Sequence, residues 1–190
     1  MNTTRVAITG STGLAGAITD LLTDESANHG PSGRARAFSV TNVRLEDDIR
    51  PRDFDIFINQ AHQGFSQVEL LFRFFDAWKA DAGKYIINMS SRAAQPNISK
   101  GYMYAAQKAA LNQLAANLTY NSDKRCRITT INLGLLEHAL PSLSYTEVAE
   151  AVKTLIDLPE HIEIADMTLQ HAANYCEIQA QKSRILAAAE

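Results

Sequence analysis

Cysteine is scarce in this chain. Of 190 residues only Cys126 and Cys176 are cysteine, and neither falls in a CxxC or other metal-ligand spacing, which excludes a disulfide-stapled scaffold and a structural zinc site. The five histidines, His29, His62, His138, His161 and His171, form no HExxH or paired spacing. An excess of basic charge is also missing. Eighteen Lys and Arg stand against 21 Asp and Glu, a formal charge of -3, so there is no electrostatic basis for a nucleic-acid or anionic-membrane partner. No apolar run approaches the roughly 20 residues of a membrane span, and the N-terminus enters a strand-like run with no signal-peptide pattern. Internal repeats are lacking, and the only compositional bias is a mildly Ala-rich C-terminus. The expectation is a reduced, cytoplasmic protein. With 46% apolar and 21% charged side chains, the chain closes one hydrophobic core and is too short for two ordinary domains.

What is present is an alternation of strand and helix patterns. Arg5–Thr9 is β-rich, a glycine-bearing turn follows, and apolar residues recur at helical spacing from about Leu14 to Leu22. Turn chemistry at Asn28, Gly30, Pro31, Ser32 and Gly33 leads into an alternating run, Arg36–Val40. Phe54–Asn59 and Tyr85–Met89 read as two further strands, separated by a helix whose Leu70, Leu71, Phe74, Phe75 and Trp78 share helical spacing and which Gly83 ends. An Ala-rich helix from about Tyr102 to Leu118, a strand at Arg127–Asn132 and a helix from Tyr145 to Leu158 come next. Ser144 and Glu147 form a capping box before the last of these. A final strand around His161–Met167 precedes a helical tail. Such alternation predicts an α/β fold, a doubly wound, mostly parallel sheet of about six strands flanked by helices, with a C-terminal helical tail.

Three places carry chemistry. Thr9-Gly10-Ser11-Thr12-Gly13-Leu14-Ala15-Gly16 is a GxxGxxG turn between the first strand and helix, where glycine lets the backbone approach a pyrophosphate and the helix N-terminus offers unpaired N–H groups. The same glycines also serve a bare strand-to-helix turn. Tyr104 and Lys108 stand at i and i+4, a phenol and an ammonium on one helix face; a solvated surface pair is the plain alternative. Ser91 lies just past the C-terminal end of a strand, the edge of a parallel sheet where ligands bind in doubly wound folds.

In this order the motifs resemble the short-chain dehydrogenase/reductase family. The glycine turn, Asn59-Gln60-Ala61-His62, Met89-Ser90-Ser91, Tyr104-x-x-x-Lys108 and Asn132-Leu133-Gly134 cover about residues 4 to 168. Ser91 precedes Tyr104 at the family's spacing, so Ser90 is the weaker candidate. The resemblance implies a Rossmann-type dinucleotide-binding domain over 1–168, with 169–190 as its helical tail. It implies that Ser91, Tyr104 and Lys108 are catalytic: Tyr104 exchanges the proton at a carbonyl or alcohol, Lys108 lowers its pKa and holds the nicotinamide ribose, and Ser91 binds the reacting oxygen. Cofactor contacts carry over to Gly10, Ser11, Thr12, Gly13, Leu14, Asn42, Asn59, Ala61, Tyr104, Lys108, Leu133 and Gly134, with no metal.

The sequence also departs from the family pattern. His62 stands where members commonly have glycine, either narrowing the cleft or lying as a loop histidine. The relay Asn on the helix before Ser91 is replaced by a neighbourhood of Gln63, Gly64, Ser66 and Gln67. Leu133 replaces a proline, His138 stands where a Thr often meets the nicotinamide, and the stretch between Gly134 and Ser144 lacks a substrate-covering lid. NADP is favoured over NAD because Ser39–Arg44 has no acid and Arg34, Arg36 and Arg44 are near. Asn42-Val43 equally matches an adenine-contacting pair.

The expected function is NAD(P)-dependent oxidation or reduction of a small carbonyl or alcohol substrate. A non-catalytic dinucleotide sensor or scaffold is the alternative. The GxxGxxG spacing also looks like the branch containing sugar-nucleotide epimerases and dehydratases, whose substrate domain this length cannot hold. Apolar surface on the helices of Phe74 and Tyr104 suggests a homodimer or homotetramer.

Overall fold

The computed structural model describes residues 3–24, 37–95, 101–137, 140–173 and 175–187. Apolar residues in the central strands alternate between two faces, and both faces are covered. Strands β1 (Thr4–Thr9), β3 (Ile56–Asn59), β4 (Tyr85–Ser91) and β5 (Arg127–Leu133) form the middle of the sheet. Val6, Ile8, Ile58, Ile87 and Met89 pack on one side with α1 (Leu14–Thr23) and α4 (Tyr145–Asp157). Ala7, Phe57, Ile86 and Ile128 pack on the other with α2 (Ser66–Trp78) and α3 (Tyr102–Thr119). That division makes the doubly wound arrangement, because each successive crossover helix must bury its apolar stripe on one face or the other.

With β2 (Phe38–Val43) and β6 (Asp166–Leu169) at the edges, the described residues form one six-stranded sheet in the order β2-β1-β3-β4-β5-β6. Every pairing is parallel. The strand order reverses at β1, which has β2 on one side and β3 on the other. A crevice therefore opens at the C-terminal ends of β1 and β3. The last helix, α5 (Tyr175–Ala187), follows β6.

The capping box forms as the sequence predicts: Ser144 Oγ accepts from Glu147 N–H at 3.2 Å, and the Ser144 N–H donates to Glu147 Oε2 at 2.7 Å. Two strands are displaced from their expected places. β2 begins at Phe38 and runs to Val43, because its register with β1 continues to the pair Thr9↔Val43. The expected strand at His161–Met167 starts only at Asp166. Upstream, the Glu163 side chain occupies the edge of β5: its carboxylate accepts from Ile128 N–H and Lys124 Nζ, both at 2.7 Å, where a strand would have made backbone bonds. Ser91 is the last residue of β4 rather than a residue beyond it.

Gly134 is fixed by steric need. A Cβ there would lie 2.9 Å from Gln170 Cβ and 3.2 Å from its Cα, so the chain leaving β6 passes where only glycine fits. Gly134→Ala is expected to cost about 1–3 kcal/mol and to lower the melting temperature by several degrees, read by thermal unfolding; an unchanged melting temperature would show that this crossing can relax. No helix among the described residues is long and apolar enough to cross a membrane.

Candidate active site

Five chain segments meet at the crevice. Leu14 begins α1, Gln60 and His62 follow β3, Met89–Ser91 end β4 with Arg92 just beyond, and Leu133 ends β5 with Gly134–Leu136 beyond it; with Tyr104 and Lys108 of α3 they line a cleft of about 670 Å³. Ser91, Tyr104 and Lys108, matched from distant parts of the sequence, are thus brought together.

Lys108 is the most constrained of the three. It is 3% exposed, and its Nζ donates to Gln67 Oε1 at 2.6 Å and to Met89 O at 2.8 Å. The Tyr104 ring lies over it, with its centroid 5.6 Å from Nζ. An ammonium has three N–H donors, so two are held by the protein and one remains for the cleft. Burial pushes its pKa down to about 8, since desolvation penalises the charged form. At neutral pH it is still a cation.

Tyr104 is 39% exposed and meets the His62 ring edge-to-face, centroids 4.9 Å apart. His62 Nε2 lies 2.9 Å from Gln107 Oε1, and because an amide oxygen only accepts, the ring proton is on Nε2. Burial first, and the Lys108 charge second, lower the His62 pKa and favour the neutral ring. His62 is therefore packed against the tyrosine.

The two serines divide their roles. Ser90 Oγ donates to Asn112 Oδ1 at 2.5 Å, and the chain of bonds continues from Asn112 Nδ2 to Asn132 Oδ1 and from Asn132 Nδ2 to Asp166 Oδ2. Ser91 Oγ accepts the Ala93 N–H at 3.1 Å. Its own O–H has no acceptor among the described residues, which leaves it to donate into the cleft.

The glycine turn is tight. Gly10 and Gly13 have φ of +94° and +56°, and the first turn of α1 carries no acidic residue. Its early N–H groups face an end where anions are favoured. Asn42 shapes this turn: its Nδ2 donates to Gly10 O at 2.8 Å and to Thr19 Oγ1 at 3.0 Å. Thr9 Oγ1 accepts from both Gln60 N–H and Ala61 N–H at 2.8 Å, tying the end of β1 to the loop after β3. These features fit a dinucleotide laid across the switch point. Asn59 is not brought to the cleft. It is fully buried, its Nδ2 donating to Gln67 O and Asn88 Oδ1. Ser11 and Thr12 are exposed on the turn, while Leu133 and Gly134 line the cleft wall.

Gln67 is the residue that sequence reasoning located only as part of a neighbourhood. Its Nε2 donates to Asn59 O and Met89 O while its Oε1 receives Lys108, so one buried amide ties β3, β4 and α3 together. Of the basic residues near β2, Arg44 pairs with Glu46 and Asp47 at 3.6 Å. Arg34, Arg36 and His138 lie outside the described residues.

No family model and no curated protein matches the chain. Solved structures do. The serine dehydrogenase of Escherichia coli superposes with a TM-score of 0.65 at 18% identity, covering 90% of this chain and 100% of that one. An oxidoreductase of the short-chain dehydrogenase/reductase family from Burkholderia thailandensis gives 0.67 at 15% identity, covering 97% and 98%. The fold is that of the short-chain dehydrogenases/reductases. An alcohol dehydrogenase from the archaeon Thermococcus sibiricus, complexed with 5-hydroxy-NADP, shares this fold at a TM-score of 0.68 and 17% identity, over 91% of this chain and 98% of that one. Within the short-chain dehydrogenase/reductase architecture, β2 here lies directly beside β1 as an edge strand, and residues 44–55 return to β3 with only a 3-10 turn at Pro51–Asp53.

Proposed function

We propose that the protein is an oxidoreductase that moves a hydride between NADP or NAD and a small carbonyl or alcohol. The observation that carries this reading is Lys108, a buried cation with one donor left over, held beneath Tyr104 in the cleft that Ser91 borders. A surface Tyr–Lys pair needs no buried amide to hold it; here Gln67 and Met89 O hold the ammonium. The fold supports the reading further, as do the glycines at positive φ facing an acid-free helix start.

The dinucleotide, when bound, supplies or accepts the hydride. The chain's residues do the rest. Ser91 donates its O–H to the substrate oxygen and stabilises charge that develops there. Tyr104 gives its phenolic proton to that oxygen in reduction and takes it back in oxidation. The Lys108 ammonium lies beside the Tyr104 ring, and its remaining N–H holds a ribose hydroxyl. Gln67 keeps the ammonium in place, close in sequence to the position where the family's relay Asn is lacking. Arg44 is engaged by two carboxylates, so the preference for NADP over NAD rests on the absence of an acid within β2. A homodimer or homotetramer belongs to the same reading: Phe65 and Phe72 at α2 are 47% and 56% exposed, although Leu71, Phe74 and Trp78 are buried within the monomer.

The test is fluorescence titration with NADPH and NADH, followed by small carbonyl compounds in the same cuvette. Saturable binding with oxidation of a carbonyl partner is the expected result. Binding without any turnover would favour a dinucleotide sensor, and no binding of either would overturn the dinucleotide reading.

A further inference from the structure

We propose that the cleft takes a substrate bearing its own anion, a carboxylate or a phosphate ester near the reacting carbonyl, and that Arg92 recognises it. The inference names the substrate class for the oxidoreductase reading above and rests on that reading. Arg92 follows Ser91 directly and opens the 3-10 turn Arg92–Ala94. Two bonds hold the turn: Ser91 Oγ accepts Ala93 N–H, and Arg92 O accepts Gln95 N–H, each at 3.1 Å. The residue that presents the guanidinium is thus anchored to the one that meets the substrate oxygen.

Its charge is uncommitted. Arg5, Arg44, Arg50, Arg52 and Arg73 each lie within 4.0 Å of an Asp or Glu. Arg92 is exposed, lines the cleft and has no side-chain hydrogen-bond or ion-pair partner among the described residues. No Asp or Glu lines the cleft among the described residues, and the other cation there, Lys108, is buried and already bonded to Gln67 Oε1 and Met89 O. In a chain of net charge -3, this is a local positive site suited to bidentate pairing with a planar or tetrahedral oxyanion.

The dinucleotide's own phosphates would sit at the ends of other strands. Its pyrophosphate would sit at the turn after β1, two strand positions from β4, roughly 10 Å away at normal strand spacing. The ribose phosphate of NADP would sit at the end of β2, three positions and roughly 14 Å away. Arg92 stands just past the end of β4, next to Ser91 and on the same cleft.

The experiment uses matched probes: acetoacetate against methyl acetoacetate, and dihydroxyacetone phosphate against dihydroxyacetone, with NADPH and NADH, for the wild type, Arg92→Gln and Arg92→Lys. The expected result is an anion-to-neutral ratio of kcat/KM that falls on the order of thirtyfold in Arg92→Gln, mainly through KM, and partly recovers in Arg92→Lys. The pair that responds distinguishes carboxylate from phosphate. A ratio unmoved by Arg92→Gln overturns the proposal, as does a wild type that favours the neutral partners. Calorimetric titration of the two anions, with and without dinucleotide, separates the two readings. Anion binding that Arg92→Gln abolishes, with no turnover of any probe, keeps the anion site and removes the oxidoreductase; absence of both anion binding and turnover in the wild type overturns the proposal.

Discussion

Tyr104→Phe is expected to reduce kcat by about 10²–10⁴-fold while changing dinucleotide affinity by no more than roughly threefold. The substitution removes one oxygen and keeps the ring, so the edge-to-face contact with His62 and the ring over Lys108 Nζ both survive. At 39% exposure the lost hydroxyl leaves no buried partner unsatisfied, and stability should shift by less than about 0.5 kcal/mol. What disappears is a proton that moves only as the reaction proceeds, and a loss of that kind lowers kcat and kcat/KM together. Lys108→Ala differs in kind: it removes the ammonium beside the Tyr104 ring and the donor proposed for the ribose, so both rate and affinity should weaken. The check is steady-state kinetics on a confirmed substrate beside a dinucleotide titration of the same samples. Full activity in Tyr104→Phe would remove Tyr104 from its proposed role.

The layout of this site was readable from sequence where the signal is local. Alternation in Val6-Ala7-Ile8 sets two faces within three residues, and the structure puts Ala7 and its two neighbours into opposite cores. The Ser144–Glu147 box is a four-residue pattern with a direct geometric meaning, and it forms. Tyr104 and Lys108 need only one helical turn to share a face. The glycine turn likewise depends on backbone freedom at two positions, Gly10 and Gly13.

What escaped the sequence depends on partners far along the chain. Gln67 meets Lys108 across 41 positions, and no pattern around residue 67 announces that its amide will be buried. Asn59 matched a family motif and was expected at the cofactor; the structure turns its side chain toward Gln67 and Asn88, because the last residue of a strand covered on both faces has no solvent to face. Asn42, which the family resemblance offers as one alternative adenine contact, donates its Nδ2 to Gly10 O and Thr19 Oγ1, partners that no local pattern announces. The false start of the last strand has the same origin. Residues 161–167 carry a strand-like pattern, but Glu163 reaches the Ile128 N–H across 35 positions and takes the bond that a ladder would need. Arg92 is a further case: its importance comes from the partners it lacks.

The buried ammonium of Lys108 should be visible in the pH dependence of stability. Below about pH 8 the lysine is charged in the folded and unfolded chain alike, and folding carries the full cost of desolvating it. Between its folded value of about 8 and the ordinary 10.5, the unfolded chain holds a proton that the folded chain has released, so stability rises with pH through this window. Integrated over the window the gain is about 3 kcal/mol. Above 10.5 it is complete. Cys126, pushed up to about 11 by burial, and Tyr85, also raised by burial, act in the opposite direction as the unfolded chain ionises first. The measurement is therefore a difference: urea unfolding of the wild type and Lys108→Met at steps from pH 7 to 10.5. Loss of the bonds to Gln67 and Met89 O shifts the variant by an amount that does not depend on pH, whereas the titration of Lys108 bends the difference curve upward from about pH 8. A flat difference would mean that the ammonium is solvated. Lys108 would then hold its charge well past pH 8.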